Sequence, residues 1–366
     1  MAWQTIVGHD AVAESFRASL RSGRLASSFL FVGSSGIGKR RFALRLAAAL
    51  FCETRPAESL DPCGACQACQ QVAAVTHPDL FLVSRPPDKT KLPLELFIGD
   101  DEHRNQQGLC HDISLRPMLG QRRVAIVDDA DLLSEEAANC LLKTLEEPPP
   151  GSVLILIGTS PERQLPTIRS RCQLVRFRPL EPEDAARLIA DHMDISDPVE
   201  ALRLAMHSGG SMERAMQLRD AELWTFRQGF LLGVADLPAA SVSLATRTVA
   251  FVEAAGKEGV ERRARLRLVI EFGADFYRGL MRRLSGSPAS AEDRADDQLS
   301  PAVERAVGSA ASWTDERAAE SLDRCLDALS HVDRNVHLST LTECWIDDLA
   351  QLASGQAIAK VGQATA

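Results

Sequence analysis

Gly33-Ser34-Ser35-Gly36-Ile37-Gly38-Lys39-Arg40 decides how this chain is read. The stretch fits the phosphate-loop pattern G-x-x-x-x-G-K-[ST] as far as its lysine and departs at the last position, where arginine stands. In such a loop the glycines let backbone N–H groups close around phosphates. The lysine reaches the outer phosphates and the final hydroxyl ligates magnesium. Arginine carries only donors, so Arg40 cannot replace that hydroxyl on a metal. A nucleotide-binding fold is announced together with a defect in its chemistry. Lys39 leaves passive binding of nucleotide open, while Arg40 argues against hydrolysis of magnesium-ATP.

The flanks supply the context the motif needs. Phe29-Leu30-Phe31-Val32 is an apolar run of strand length leading into the loop, and Val12, Phe16 and Leu20 before it keep helical spacing. Phe42 to Leu50 is rich in helix formers, which completes strand, glycine loop and helix. Further apolar runs are Leu80-Phe81-Leu82-Val83, Val124-Ala125-Ile126-Val127, Val153-Leu154-Ile155-Leu156-Ile157 and the shorter Leu174-Val175-Arg176-Phe177. Such strands separated by helices predict an α/β fold whose parallel sheet is covered on both faces. Ser134 is the expected N-cap of a helix carrying Ala138, Leu141, Leu142 and Leu145 inward, stopped by Pro148-Pro149-Pro150-Gly151. From Ser84 to about Cys110 the sequence is polar, contains Pro86 and Pro87 and has no clear period, so an insertion or mobile loop is expected there.

After Pro179 the strand pattern ends. Glu183 to Met193 and Pro198 to His207 read as short amphipathic helices, and from about Trp224 to Leu352 the pattern is helical, broken at Ser285-Gly286-Ser287-Pro288. The expected division is an α/β module at 1–178, a small helical lid at 179–221 and an all-helical domain at 222–366.

Composition narrows the function classes. The 366 residues are 45% hydrophobic and 25% charged, which is ordinary for a soluble globular protein. Lys and Arg number 41 against 50 Asp and Glu, a net charge of −9, which argues against autonomous, charge-driven binding of nucleic acid. Local basic faces are expected around Arg40-Arg41 and Arg122-Arg123. The N-terminus lacks the pattern of a signal peptide and no apolar run approaches the roughly 20 residues needed to span a bilayer, so a cytoplasmic protein without a membrane partner is expected.

Two constellations carry further chemistry. Cys52, Cys63, Cys66 and Cys69 form C-x10-C-x2-C-x2-C, a set of four thiolates that suits tetrahedral structural zinc and leaves no open position for catalysis. His77, before Pro78, reads as a turn residue rather than a ligand. Cys110, Cys140 and Cys172 read as buried small hydrophobes. The run Val124–Val127 ends on Asp128 and Asp129, where a carboxylate would hold magnesium through water; acidic residues also favour such strand-end turns.

The stretch Asn139-Cys140-Leu141-Leu142-Lys143-Thr144-Leu145-Glu146-Glu147-Pro148-Pro149, with Thr167-Ile168-Arg169-Ser170-Arg171-Cys172, closely resembles bacterial clamp loaders of the AAA+ class. The match, carried also by the P-loop and the cysteines, runs roughly from Val7 to Cys172. It implies an AAA+ module with an inserted zinc module, a lid and a helical collar. It also implies a hetero-pentamer with gamma/tau and delta subunits that loads a ring-shaped sliding clamp of DNA polymerase III on primed DNA. In that family the Ser-Arg-Cys arginine, here Arg171, acts in trans on a neighbour's ATP, and Thr159 matches a sensor of the γ-phosphate. Gamma/tau motors have Ser or Thr for Arg40, Glu for Asp129 and Gly-Ser-x-Arg where this chain has Gly210-Ser211-Met212-Glu213. Three departures in one direction favour a stator whose own ATPase is weak or absent over the alternative, an ATP-hydrolysing gamma/tau-like motor.

Overall fold

Five short strands, β1 (Ser28–Val32), β2 (Leu80–Val83), β3 (Arg123–Val127), β4 (Ser152–Gly158) and β5 (Gln173–Arg176), lie in the order β2-β3-β4-β1-β5, every neighbouring pair parallel. The computed structural model describes residues 7–356 except 87, 88, 90, 258, 288–295, 310–312 and 333–335. It divides into two compact units, Met1–Gln217 and Leu218–Ala366. Strands β1, β3 and β4 are buried along their whole length, which is why they read as unbroken apolar runs rather than as alternating ones.

Successive side chains of a strand point to opposite faces, and the two faces have separate cores. Phe29 and Phe31 pack with α1 (Asp10–Arg21), α2 (Lys39–Phe51) and α3 (Gln67–Ala73). There Phe16 meets Phe29 at 5.0 Å between ring centroids, and Phe177 meets Phe31 at 5.0 Å and Phe42 at 5.3 Å. Leu30 and Val32 face the other way, with α4 (Glu95–Ile98), α5 (Leu109–Ser114), α6 (Glu135–Glu146) and α7 (Pro166–Arg169). Ser134 caps α6 as expected, its hydroxyl accepting from Ala137 N at 3.1 Å. Ala138, Leu141 and Leu145 are buried on that helix and Leu142 half-buried.

Two expectations are corrected. The segment from Ser84 to Cys110 is not simply a mobile loop, although residues 87, 88 and 90 lie outside the described set. Leu92 pairs with Leu133 across an isolated bridge, and Leu92, Phe97, Ile98 and Leu109 enter the core. Sparse apolar residues spaced by polar ones hid this second-layer packing from a search for period.

Nor does Arg123 contribute to a basic face. It is 4% exposed, with Nε 3.4 Å from Oδ1 of the fully buried Asp79. Arg123 also donates to the carbonyls of Arg116 and Asp112, and Asp79 accepts from Met118 N at 2.7 Å and Leu119 N at 2.9 Å. The pair thus ties the loop before β3 to the sheet. Removing one partner strands a buried charge, so Arg123→Met is expected to destabilise the protein by about 3 kcal/mol in chemical denaturation. A change below about 1 kcal/mol would remove the pair from the fold's supports.

The first unit continues through α8 (Pro182–Met193), α9 (Pro198–Ser208) and α10 (Met212–Gln217). Asp197 caps α9 by accepting from Val199 N at 2.9 Å. In the second unit every assigned element among the described residues is a helix: α11 (Ala221–Ala235), α12 (Ser241–Glu253), α13 (Gly259–Leu284), α14 (Leu299–Val307), α15 (Asp315–Val332) and α16 (Leu338–Ala353). Its core holds Phe230, Phe276, Tyr277 and Trp345. Arg227, 2% exposed, makes a bidentate pair with Asp296 at 3.1 and 2.5 Å while its guanidinium lies over the rings of Trp224 and Phe272. The polar break expected after Leu284 falls largely on residues 288–295, outside the described set.

Candidate functional site

The C-terminal ends of β1, β3 and β4 bring most of the sequence-predicted site together. β1 runs into the P-loop and Gly38 opens α2 from a left-handed conformation. β3 ends at Asp128 and Asp129, and β4 delivers Thr159, whose carbonyl accepts from Gly33 N at 3.1 Å. Crevices at the carboxyl ends of parallel strands are where open α/β sheets bind ligands.

The groups gathered here are engaged with one another. Lys39 is 6% exposed, and its Nζ donates to Gly33 O at 2.6 Å and Ser34 O at 2.5 Å, turning the ammonium onto the loop's own carbonyls. Burial pushes its pKa below the ordinary lysine value, against the opposing pull of Asp128, Asp131, Asp129 and Glu213. Arg40 NH1 lies 3.5 Å from Asp128 Oδ2, so a cation covers the carboxylate where the motif would place magnesium. Asp129 has left-handed backbone, φ 54°, and burial followed by the charge of Asp128 raises its pKa.

The start of α10 closes the other side. Ser35 Oγ donates to Glu213 Oε2 at 3.1 Å and Met212 N to Gly36 O at 3.1 Å. Gly36 has φ 74°, and a Cβ added there would lie 2.2 Å from Ser211 Oγ, so this glycine is demanded by both conformation and contact. His9, which the sequence did not single out, braces the loop from below, its Nε2 2.8 Å from Ile37 O. With Arg40 on Asp128 and no hydroxyl at the last position of the loop, the residues do not fit a hydrolysable magnesium nucleotide.

Thr159 does not point freely at the site. Its amide and hydroxyl both donate to Asp131 Oδ2, at 2.6 and 2.5 Å. Arg171 stands apart from the P-loop group. Its guanidinium is bound to Glu146 Oε1 at 2.5 Å, Thr167 O at 3.0 Å and Ser170 Oγ at 3.2 Å, on a part-exposed side chain. Cys172 beside it is half-buried rather than buried, and desolvation pushes its thiol up to about 12.

The four cysteines converge. Cys52 follows α2, Cys63 lies in the connecting loop, Cys66 caps α3 and Cys69 sits in its first turn. Their sulfurs all lie within 4.8 Å of one another, and Cys63 and Cys69 are 3.9 Å apart. Tetrahedral Zn–S bonds of about 2.3 Å place sulfurs about 3.8 Å apart, so the set fits a four-coordinate metal. The Thr54 hydroxyl and the amides of Cys66 and Ala65 hold the Cys63 thiol down at about 5. His77 is excluded from the cluster; its ring stacks on Phe51 at 4.1 Å and its Nδ1 accepts from Asp79 N.

Residues 8–181 match the family model described as DNA polymerase III, delta subunit. DNA polymerase III subunit delta' of Pseudomonas aeruginosa is 40% identical over 199 residues, 53% of this chain and 56% of that protein. Over these residues the chain is similar to delta-prime subunits. The delta' subunit of Bacillus subtilis is 33% identical over 224 residues, 58% of this chain and 63% of the relative. The chain therefore spans somewhat over half the length of the delta-prime relatives it matches. The tau subunit of Salmonella typhimurium is more distant, 27% identical over 320 residues, 82% of this chain and 47% of tau. Among the described residues no helix is long and apolar enough to cross a membrane.

Proposed function

We propose that this chain is the non-hydrolysing stator of a cytoplasmic DNA polymerase III clamp loader. It assembles with gamma/tau and delta, its helical second unit serving as the collar, to load the sliding clamp on primed DNA. Arg171 is its active contribution, reaching a neighbouring subunit's ATP. Cys52, Cys63, Cys66 and Cys69 hold a structural zinc that cross-links the loop between α2 and α3. The reading is carried by one observation above the rest, the pairing of Arg40 with Asp128 at the end of a P-loop whose lysine is bound to its own carbonyls.

Arg171 is suited to work in trans because it is half-accessible and bound to no P-loop group of its own chain. Its grip on Glu146 is a part-exposed ion pair, worth on the order of 0–1 kcal/mol, so release toward a phosphate is cheap. The guanidinium fork then meets charge developing on a transferring phosphoryl group.

The isolated chain tests the first half of this proposal. With magnesium and ATP it is expected to show no turnover above background, and Lys39→Ala is expected to change nothing. Robust hydrolysis that disappears in Lys39→Ala would make the chain a gamma/tau-like motor and overturn the stator reading.

A further inference from the structure

We infer that Asp131 is a positioning residue that sets the segment bearing Arg171; this rests on the trans-arginine reading above. Asp131 lies just past β3, in the turn that follows Asp128 and Asp129. Its carboxylate accepts three hydrogen bonds that join separate pieces of the module. Oδ2 takes the amide and hydroxyl of Thr159 at the end of β4, at 2.6 and 2.5 Å, and Oδ1 takes Nε2 of Gln164 at 2.7 Å. Hydrogen bonds to a carboxylate are roughly twice as strong as neutral ones.

From Gln164 the chain runs without slack to Arg171. Gln164 is 5% exposed, Ile168 is 1% exposed in the core, and α7 is held by Ile168 N and Arg169 N to Leu165 O and Ser170 N to Pro166 O. Arg171 N then bonds Ile168 O at 3.1 Å. A second observation shows that the Asp131 seat is built. Gly158 lies directly against it, and a Cβ there would stand 2.4 Å from Asp131 Oδ1 and 3.2 Å from Gln164 Nε2. The glycine opens the space that lets one carboxylate bridge β4 and the α7 segment. Because misplacement by about 1 Å can cost a hundredfold in rate, a fixed seat for this segment bears directly on what Arg171 can do.

The test compares Asp131→Ala, Asp131→Asn and Gly158→Ala in complexes reconstituted with gamma/tau and delta, with clamp loading and ATP turnover as readouts. Asp131→Ala and Gly158→Ala are expected to lower loading about tenfold, with nucleotide affinity of the gamma/tau sites unchanged. Asn keeps an oxygen for Thr159, and a turned Gln164 amide restores the third bond, so Asp131→Asn is expected within about twofold of wild type. In an Arg171→Ala background, Asp131→Ala is expected to add nothing, the mark of a residue acting through Arg171. If Asp131→Ala does not assemble, Gln164→Ala, which cuts only the link toward α7, carries the same comparison. Loading that is unaffected by Asp131→Ala while Arg171→Ala abolishes it overturns the inference, as does an Asp131→Ala loss that persists without Arg171. An Arg171→Ala complex with full activity overturns the trans reading itself.

Discussion

Arg171→Ala, introduced into a complex with gamma/tau and delta, is expected to abolish most clamp loading while leaving assembly intact. An arginine that stabilises charge on a transferring phosphoryl group contributes about three to five orders of magnitude at the site it serves. On the proposed trans reading Arg171 serves one neighbouring ATP site, so total hydrolysis should fall far less than loading, which needs the sites to act together. Assembly should survive because the side chain's contacts, Glu146, Thr167 and Ser170, all belong to the same chain and surround it at the surface. Arg171→Lys separates charge from shape. Lysine retains the charge but not the planar fork, and should restore only a minor part of the loss. Wild-type loading by Arg171→Ala would reject the finger role.

The motif that carries Arg171 was legible in the sequence, and the seat proposed for it was not. The motif Ser170-Arg171-Cys172 is contiguous, whereas Asp131 meets Thr159 and Gln164 across 28 and 33 residues of chain. The sheet was readable because burial on both faces leaves apolar runs, as in Val124–Val127 and Val153–Ile157, that need no partner to be recognised. Arg123 was misread as surface charge because nothing local announces Asp79, the carboxylate that draws it inside. Leu92 and Phe97 were passed over because short core segments inside a polar stretch show no period. The Glu213 side chain at Ser35, 178 residues away, was visible only as a departure from a lid pattern, not as a contact.

Cys66→Ser is expected to remove about one zinc ion per chain and to lower the thermal midpoint by about 10 °C. A structural zinc binds isolated modules with an apparent free energy of about 10–16 kcal/mol, all of it folding energy where no site exists beforehand. Here part of the site stands without it. Leu60 is fully buried, Arg45 Nε donates to Leu60 O at 3.2 Å and its NH2 lies 3.3 Å from Asp61 Oδ1, while Ala68 and Val72 of α3 join the core beside α2. Loss of the metal should therefore loosen the connection between α2 and α3 rather than unfold the sheet. At about 2–4 °C per kcal/mol for a unit of this size, a 10 °C fall corresponds to about 3–5 kcal/mol, a fraction of the full binding energy. Proteolysis should then begin between Cys52 and Cys69, and chelation of the wild-type protein should give the same pattern. Cys344→Ser, an exposed cysteine outside the cluster, should leave both metal content and midpoint unchanged. Wild-type protein that is folded, metal-free and as stable as its Cys66→Ser variant would show that these four sulfurs converge without holding an ion.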